Sequence, residues 1–250
     1  MILSKCGSFL PITLVVSILF LNEEVQSQTY PNAPDSTPPF EWISMTQGFE
    51  QHCSPFGVSI FAKGWPRDKF LHACNVMAQM LDNDQDGCAD DVAVVQNMRA
   101  TRSGMAMFAT QDSANFELVE FSFAFQDLYA DETELGCSGS SETANCHDAA
   151  MEEIMHVITA KGVGLAYPDD FSDCYIDQAS ISTMQAQMDI ARGGHFTSVP
   201  STYPAGSIYH YNDETCDYGC MGTEMIYWAI TSLLNGQGKS YLLFGSSLIK

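Results

Sequence analysis

The sequence predicts a mainly α fold with some short strands (α+β), organised as a single domain that is stapled by disulfides. Three observations favour it. The chain of 250 residues is 46% hydrophobic, which is enough apolar material for a core despite a formal net charge of −21. Apolar residues recur at helical spacing in several segments. Eight cysteines remain after a predicted signal is removed, and an even number in an exported chain indicates disulfides.

The N-terminus has the pattern of a secretory signal peptide. Lys5 precedes an apolar run from Phe9 to Leu21, and the small-residue pattern at 25–27 suits signal peptidase. The apolar run is too short to span a bilayer, and no later segment reaches roughly 18 uninterrupted apolar residues. We therefore expect residues 1–27 to be removed, and the protein to be secreted into the extracellular space without a membrane partner.

The mature chain divides into a leader and one globular domain. Residues 28–39 are rich in Pro and Ser and indicate an extended leader, and residues 40–250 are expected to form the domain. With eight cysteines left, we expect no free thiol. The local pairs Cys137 with Cys146 and Cys216 with Cys220 are two of many possible pairings, among which the sequence cannot choose.

Charge points to divalent cations as partners. The signal contains Lys5, Glu23 and Glu24, so nine basic and 29 acidic residues remain, with a net charge of −20. Such acidity argues against nucleic acid as a partner, because binding to phosphates needs a basic surface. Simple solubility is the alternative explanation of the acidity.

A helix-loop-helix segment over residues 66–98 predicts a calcium site. Its loop, LDNDQDGCADD, carries acidic residues at alternate positions and a glycine where the chain must turn sharply. The candidate ligands are Asp82, Asp84, Asp86, the backbone of Cys88, and Asp90. The loop resembles the EF-hand and the repeats of thrombospondin type 3 modules. Position 12 is Ala93 rather than the EF-hand glutamate, so we expect weak Ca²⁺ binding unless Asp91 or a distant carboxylate completes the shell.

A second candidate site lies in the segment NCHDAAMEEIMHVITA. Asn145 and Asp148 can cap a helix that ends near Lys161 and Gly162. At 100° per residue, Glu152 and His156 lie side by side on this helix, away from its apolar stripe. They are therefore placed to bind one ligand together.

The core of this helix, EEIMH, resembles the HExxH signature of zincin metallopeptidases. The resemblance implies a zincin-like fold in which Glu152 and His156 are metal ligands and Glu153 is the catalytic general base. In the gluzincin branch a later helix supplies the third ligand, and TEMIYWAITSLL offers Glu224. Two carboxylates and one imidazole form a harder, more anionic donor set than the usual two imidazoles and one carboxylate. Compared with the Zn²⁺ site of the zincins, it would lower the Lewis acidity felt by a bound water and would suit Mn²⁺ or Ca²⁺ better. His147 is a further imidazole close by.

The segment YHYNDETCDYGC can line the mouth of this site, where Tyr209 or Tyr211 could stabilise an oxyanion. With LDNDQDG and EEIMH, it also gives the chain a likeness to secreted acidic invertebrate proteins, some of them from mineralised matrices. Two function classes therefore stay open. The first is a calcium-binding protein of a possible mineralised extracellular matrix, with a second metal on the EEIMH helix. The second is a secreted zincin-like hydrolase or peptidase.

Overall fold

A computed structural model describes residue 45 and residues 48–135, 148–174 and 177–234. The predicted signal and leader, the pair Cys137 and Cys146, Asn145 and His147 lie outside the described residues. Within them the chain has the predicted α+β architecture, with a small sheet and more helix than strand.

Four strands form one mixed sheet in the order β1-β2-β3-β4. Their bounds are Gln51–Cys53 (β1), Ser59–Lys63 (β2), Ser103–Phe108 (β3) and Ala124–Tyr129 (β4). β1 is antiparallel to β2, whereas β2, β3 and β4 are parallel to one another. β4 has a strand neighbour on one side only within the described part of the chain.

Seven α-helices and one π-helical turn are described. The helices are Arg67–Leu81 (α1), Val92–Ala100 (α2), Ala149–Ile158 (α3), Gly164–Ala166 (α4), Pro168–Phe171 (α5), Thr183–Arg192 (α6) and Tyr218–Leu233 (α7). The π turn, Thr159–Val163, follows α3 without a break. Short 3₁₀ segments lie at Pro55–Gly57, Gln111–Ser113, Phe116–Leu118 and Gln178–Ser180.

The two faces of the sheet bury different residues because side chains alternate along each strand. Ile60, Met105 and Leu128 point to one face and join the main core with α1, α2 and α3. Phe61 and Phe108 point to the other face and pack in an aromatic cluster. A further cluster of Met188, Tyr209, Cys216, Tyr218 and Met221 joins α6 to α7. The helix that carries EEIMH is thus held directly against the sheet.

The π turn corrects the predicted end of the EEIMH helix. The chain does not leave the helix at Gly162, which packs instead against α2. A Cβ atom at position 162 would lie 2.6 Å from Cγ1 of Val94, so glycine permits this close approach of the two segments.

Disulfides are present as predicted, but one predicted feature is wrong. Cys53 is bonded to Cys74, which ties β1 to α1, and Cys216 is bonded to Cys220. Cys88 is also disulfide-bonded. Cys174, however, is an exposed free cysteine in the segment after α5, contrary to the expectation that every thiol would be paired.

No helix in the described ranges is both long and apolar enough to cross a bilayer.

Candidate metal centre

The N-terminus of α3 fixes the orientation of the EEIMH segment. Asp148 is the N-cap residue, and its Oδ1 accepts a hydrogen bond of 3.1 Å from the amide of Ala150. Its Oδ2 lies 2.6 Å from Nε2 of His72 on α1, which anchors the helix start to the core. Ile154 and Ile158 are buried in that core. Glu152 and His156 therefore project from another side of the helix.

The structure brings the three predicted ligands together. One ligand atom of each of Glu152, His156 and Glu224 lies within 4.8 Å of the others. Nε2 of His156 is 3.8 Å from Oε2 of Glu224. Glu224 lies in the second turn of α7, because this helix begins at Tyr218 with Asp217 as its N-cap residue.

His156 is buried and presents one bare ring nitrogen to the carboxylates. Its residue exposure is 7%. Nδ1 lies 3.4 Å from Oε2 of Glu153, whereas Nε2 is buried and has no hydrogen-bond partner. Burial lowers the pKa of His156, but the hydrogen bond to Glu153 and the charges of Glu224, Glu153 and Glu152 outweigh it, so the pKa is raised. The site thus favours a positive charge at this position.

Glu224 is surrounded by groups that hold its carboxylate in place. Burial raises its pKa, against the lowering effects of the His156 charge and of hydrogen bonds from Tyr211 and Trp228. Tyr211 has a raised pKa in turn, because of burial and the Glu224 charge. Of the two tyrosines predicted to line the site, Tyr211 therefore contacts it. The hydroxyl of Tyr209 instead donates to the carbonyl of Met221, at 3.2 Å.

Glu153 lies on the Nδ1 side of the imidazole. Its Oε2 accepts a hydrogen bond of 2.6 Å from Nε2 of Gln126 on β4. A carboxylate at the second ring nitrogen of a histidine orients the ring and makes the other nitrogen a better metal ligand. The predicted general base is thus in a position to orient His156. Sequence reasoning missed Gln126, because a single glutamine in a strand carries no motif.

Two of the three predicted ligands, His156 and Glu224, border an open cavity of about 360 Å³. Glu153, His156 and Glu224 line it, together with Phe125, Gln126, Val157, Ala160, Lys161, Asp173, Cys220 and Thr223. A metal held by three protein ligands at this edge would keep coordination positions open to water or to a ligand in the cavity.

The predicted calcium loop is held in shape by hydrogen bonds from backbone amides to its carboxylates. The buried carboxylate of Asp82 accepts from the amides of Asp86 and Gly87 at 3.1 and 3.0 Å. Asp84 accepts from the amide of Asp86, at 3.2 Å. Gly87 has a φ of 87°, which supports the predicted role of glycine in the turn. Ligand oxygens of Asp82, Asp84 and Asp86 come within 4.8 Å of one another.

The two remaining carboxylates of the loop, Asp90 and Asp91, differ in whether they are free to bind a cation. Oδ2 of Asp90 accepts from the amide of Asn83, at 2.8 Å, which closes the loop. Both oxygens of Asp91 are engaged, one with the amides of Ala93 and Val94 at the start of α2 and the other with the hydroxyl of Tyr167 at 2.6 Å. Asp91 is therefore poorly placed to complete the calcium shell.

Burial and mutual repulsion raise the pKa of two loop carboxylates. For Asp82, burial is the largest cause, and the charges of Asp86 and Asp90 add to it. For Asp90, burial is again the largest cause. The hydrogen bond from the Asn83 amide lowers the pKa, but repulsion from Asp84 and Asp86 adds to the effect of burial. A cation in the loop would relieve this repulsion.

Comparison of the chain with family models, with curated proteins and with solved structures gives no significant match, so the sites rest on the geometry of the chain itself.

Proposed function

We propose that the protein is an extracellular cation-binding protein with two sites, one for Ca²⁺ in the Asp82 loop and one for Zn²⁺ or Mn²⁺ at Glu152, His156 and Glu224. The observation that carries the second site is the bare, buried Nε2 of His156, which lies 3.8 Å from Oε2 of Glu224 in a cluster that also includes the Glu152 carboxylate.

This arrangement is unfavourable without a positive charge at its centre. If Nδ1 donates its proton to Glu153, the lone pair of Nε2 faces acceptor oxygens and nothing donates to it. Either a proton on Nε2 or a metal ion resolves the conflict. A dication satisfies the imidazole and both carboxylates at once, and this mixed donor set suits Zn²⁺ and Mn²⁺.

The Asp82 loop supports calcium because it offers oxygen ligands only. Alternating aspartates and a turn glycine can surround a hard cation, although no carboxylate stands at position 93. The predicted signal sequence and the described disulfides support an extracellular setting for this site. The acidic composition suits a matrix protein, including one of a mineralised matrix.

The metal site can be tested by titrating the chelator-treated protein with Zn²⁺ and Mn²⁺ in the presence of calcium. We expect one additional equivalent to bind, and Glu224→Gln to weaken its affinity at least about tenfold, because one charged ligand is lost. Glu214→Gln is the matched control, since Glu214 is an exposed carboxylate that precedes the same helix. Equal affinities in wild type and Glu224→Gln would refute the site.

A second candidate function is metal-dependent hydrolysis, and the cavity is the observation that favours it. Three protein ligands leave the metal open, and Glu153 lines the same space. Glu153→Gln should abolish turnover of a quenched fluorescent peptide library while metal content stays near one equivalent, because it removes a base and no ligand. Metal content must be measured in the same samples, since Glu153 also contacts His156. Turnover by the variant at the wild-type rate, or none by the metal-loaded wild type, would exclude this candidate.

A further inference from the structure

We propose that the cavity beside the metal site recognises an anionic ligand, and that Lys161 binds a carboxylate of that ligand while another of its groups reaches the metal. This inference rests on the proposed metal site, and it adds the chemical class of the molecule that the site accepts.

Lys161 is positioned by the π turn that follows α3. It lines the cavity together with Val157 and Ala160, on the same stretch of chain that supplies His156. Its neighbour Gly162 is packed tightly against Val94 and Met98 of α2, which holds the turn in place. Turns of this kind are often found at functional sites. The half-buried Lys161 therefore lines the cavity from a backbone segment that is held in place by packing.

The charge of Lys161 is not neutralised by the part of the chain that the structure describes. Lys161 is the only lysine or arginine among the described residues that line the cavity. No described carboxylate forms an ion pair with it, although Glu153, Asp173 and Glu224 line the same cavity. In such an acidic chain, an unpaired lysine at a cavity is available for the negative group of a ligand.

Charged groups of both signs line the cavity and attract different parts of a ligand. At the proposed metal site, a bound dication would offset the charges of Glu152 and Glu224. Among the other lining residues, Lys161 attracts an anion, and Asp173 is the competing group, which would attract an amine. A volume of about 360 Å³ is enough for a small molecule or a short peptide segment. The expected ligand has a metal-binding oxygen and a carboxylate, as in a peptide with an acidic side chain.

Three hydroxamates test this on the Co²⁺-loaded full-length protein, because Co²⁺ makes ligand binding visible in the absorption spectrum. Acetohydroxamic acid carries only the metal-binding group, succinic monohydroxamate adds a carboxylate, and β-alanine hydroxamate adds an amine. We expect the carboxylate probe to bind the wild type about tenfold more tightly than the neutral probe. In Lys161→Met, the ratio of the affinities for the carboxylate probe and the neutral probe should fall to about one. Lys63→Met removes the same charge from β2, outside the lining residues, and should keep the ratio.

The outcomes separate the two proposals. A spectrum that shows no bound Co²⁺ would overturn the metal site and the anion pocket together. Bound Co²⁺ with an equal preference in wild type and Lys161→Met would overturn the role of Lys161 and leave the metal site standing. Tightest binding of the amine probe would show that Asp173 dominates the cavity, which also overturns the proposal.

Discussion

Nε2 of His156 on α3 lies 3.8 Å from Oε2 of Glu224 on α7, and Nδ1 of the same ring lies 3.4 Å from Oε2 of Glu153. The imidazole is therefore held between carboxylates from its own helix and from a helix much later in the chain. Such a contact makes the charge of the ring, and any ion that binds it, depend on how α3 and α7 pack.

Without bound cations, the stability of the protein should fall as pH rises. The pKa values of Glu224, Asp82 and Asp90 are raised in the folded state, so between the unfolded and folded pKa values the folded state binds more protons. The free energy of unfolding therefore falls as pH rises through this range. The raised pKa of His156 acts in the same direction, since its contribution is lost as pH rises through the folded value.

Denaturant unfolding in chelator from about pH 4.5 to pH 8 measures this effect. We expect the loss of unfolding free energy on raising the pH to be smaller in Glu224→Gln, because this variant lacks one of the responsible groups. The loss should disappear when Ca²⁺ and Zn²⁺ are added. A wild-type slope that is unchanged by Glu224→Gln would contradict the assignment.

Calcium should raise the thermal midpoint through the Asp82 loop. Asp84→Asn keeps the size of an exposed side chain but removes a ligand charge, so the calcium-dependent shift should become much smaller. Because Ala93 supplies no carboxylate, we expect a Kd on the order of 10⁻⁴ to 10⁻³ M, as in extracellular modules. Calorimetry of both proteins in calcium and in chelator gives the comparison. Asp112→Asn is the control, because Asp112 is an exposed acid outside the loop, and its calcium-dependent shift should equal that of wild type. A wild-type shift in Asp84→Asn as well would rule the loop out as the calcium site.

Gly162→Ala should destabilise the protein by about 1–3 kcal/mol, because the added Cβ would lie 2.6 Å from Cγ1 of Val94. Val94→Ala makes room for the new methyl group. A double-mutant cycle should therefore show that the two substitutions together cost less than their sum. Strict additivity of the unfolding free energies would mean that the contact is not what limits position 162.

Cys174 should react with iodoacetamide in the folded, unreduced protein, since it is free and exposed. Peptide mass mapping should find the adduct at Cys174, while the bonded pair Cys216 and Cys220 stays unmodified until reduction. Cys174→Ser serves as the control that loses the adduct. An unmodified Cys174 peptide would show that this thiol is paired.

Local patterns in the sequence predicted the parts of the structure that depend on neighbouring residues. The α+β class is confirmed, and the bonded pair Cys216 and Cys220 was among the pairings considered. The helices on either side of LDNDQDG follow the predicted 66–98 segment closely, because apolar spacing and a short acidic turn determine them. The angular positions of Glu152 and His156 follow from helical geometry alone.

What the sequence could not give depends on distant contacts. Gln126 reaches Glu153 only because β4 lies beside α3. Gly162 was interpreted as a helix end, since glycine usually has that role, but its function here is set by Val94 on a separate helix. Asp91 was a candidate calcium ligand, yet a hydroxyl from Tyr167 and the amides of α2 engage both of its oxygens.

The contact between Gly162 and Val94 also bears on how this chain can change over evolutionary time. A larger residue at position 162 costs less stability if position 94 becomes smaller, so the two positions should covary among any descendants of this sequence. Position 94 lies in the helix that follows the proposed calcium loop, and position 162 lies in the π turn that follows the helix of His156. A substitution beside one proposed cation site therefore restricts which substitutions are tolerated beside the other.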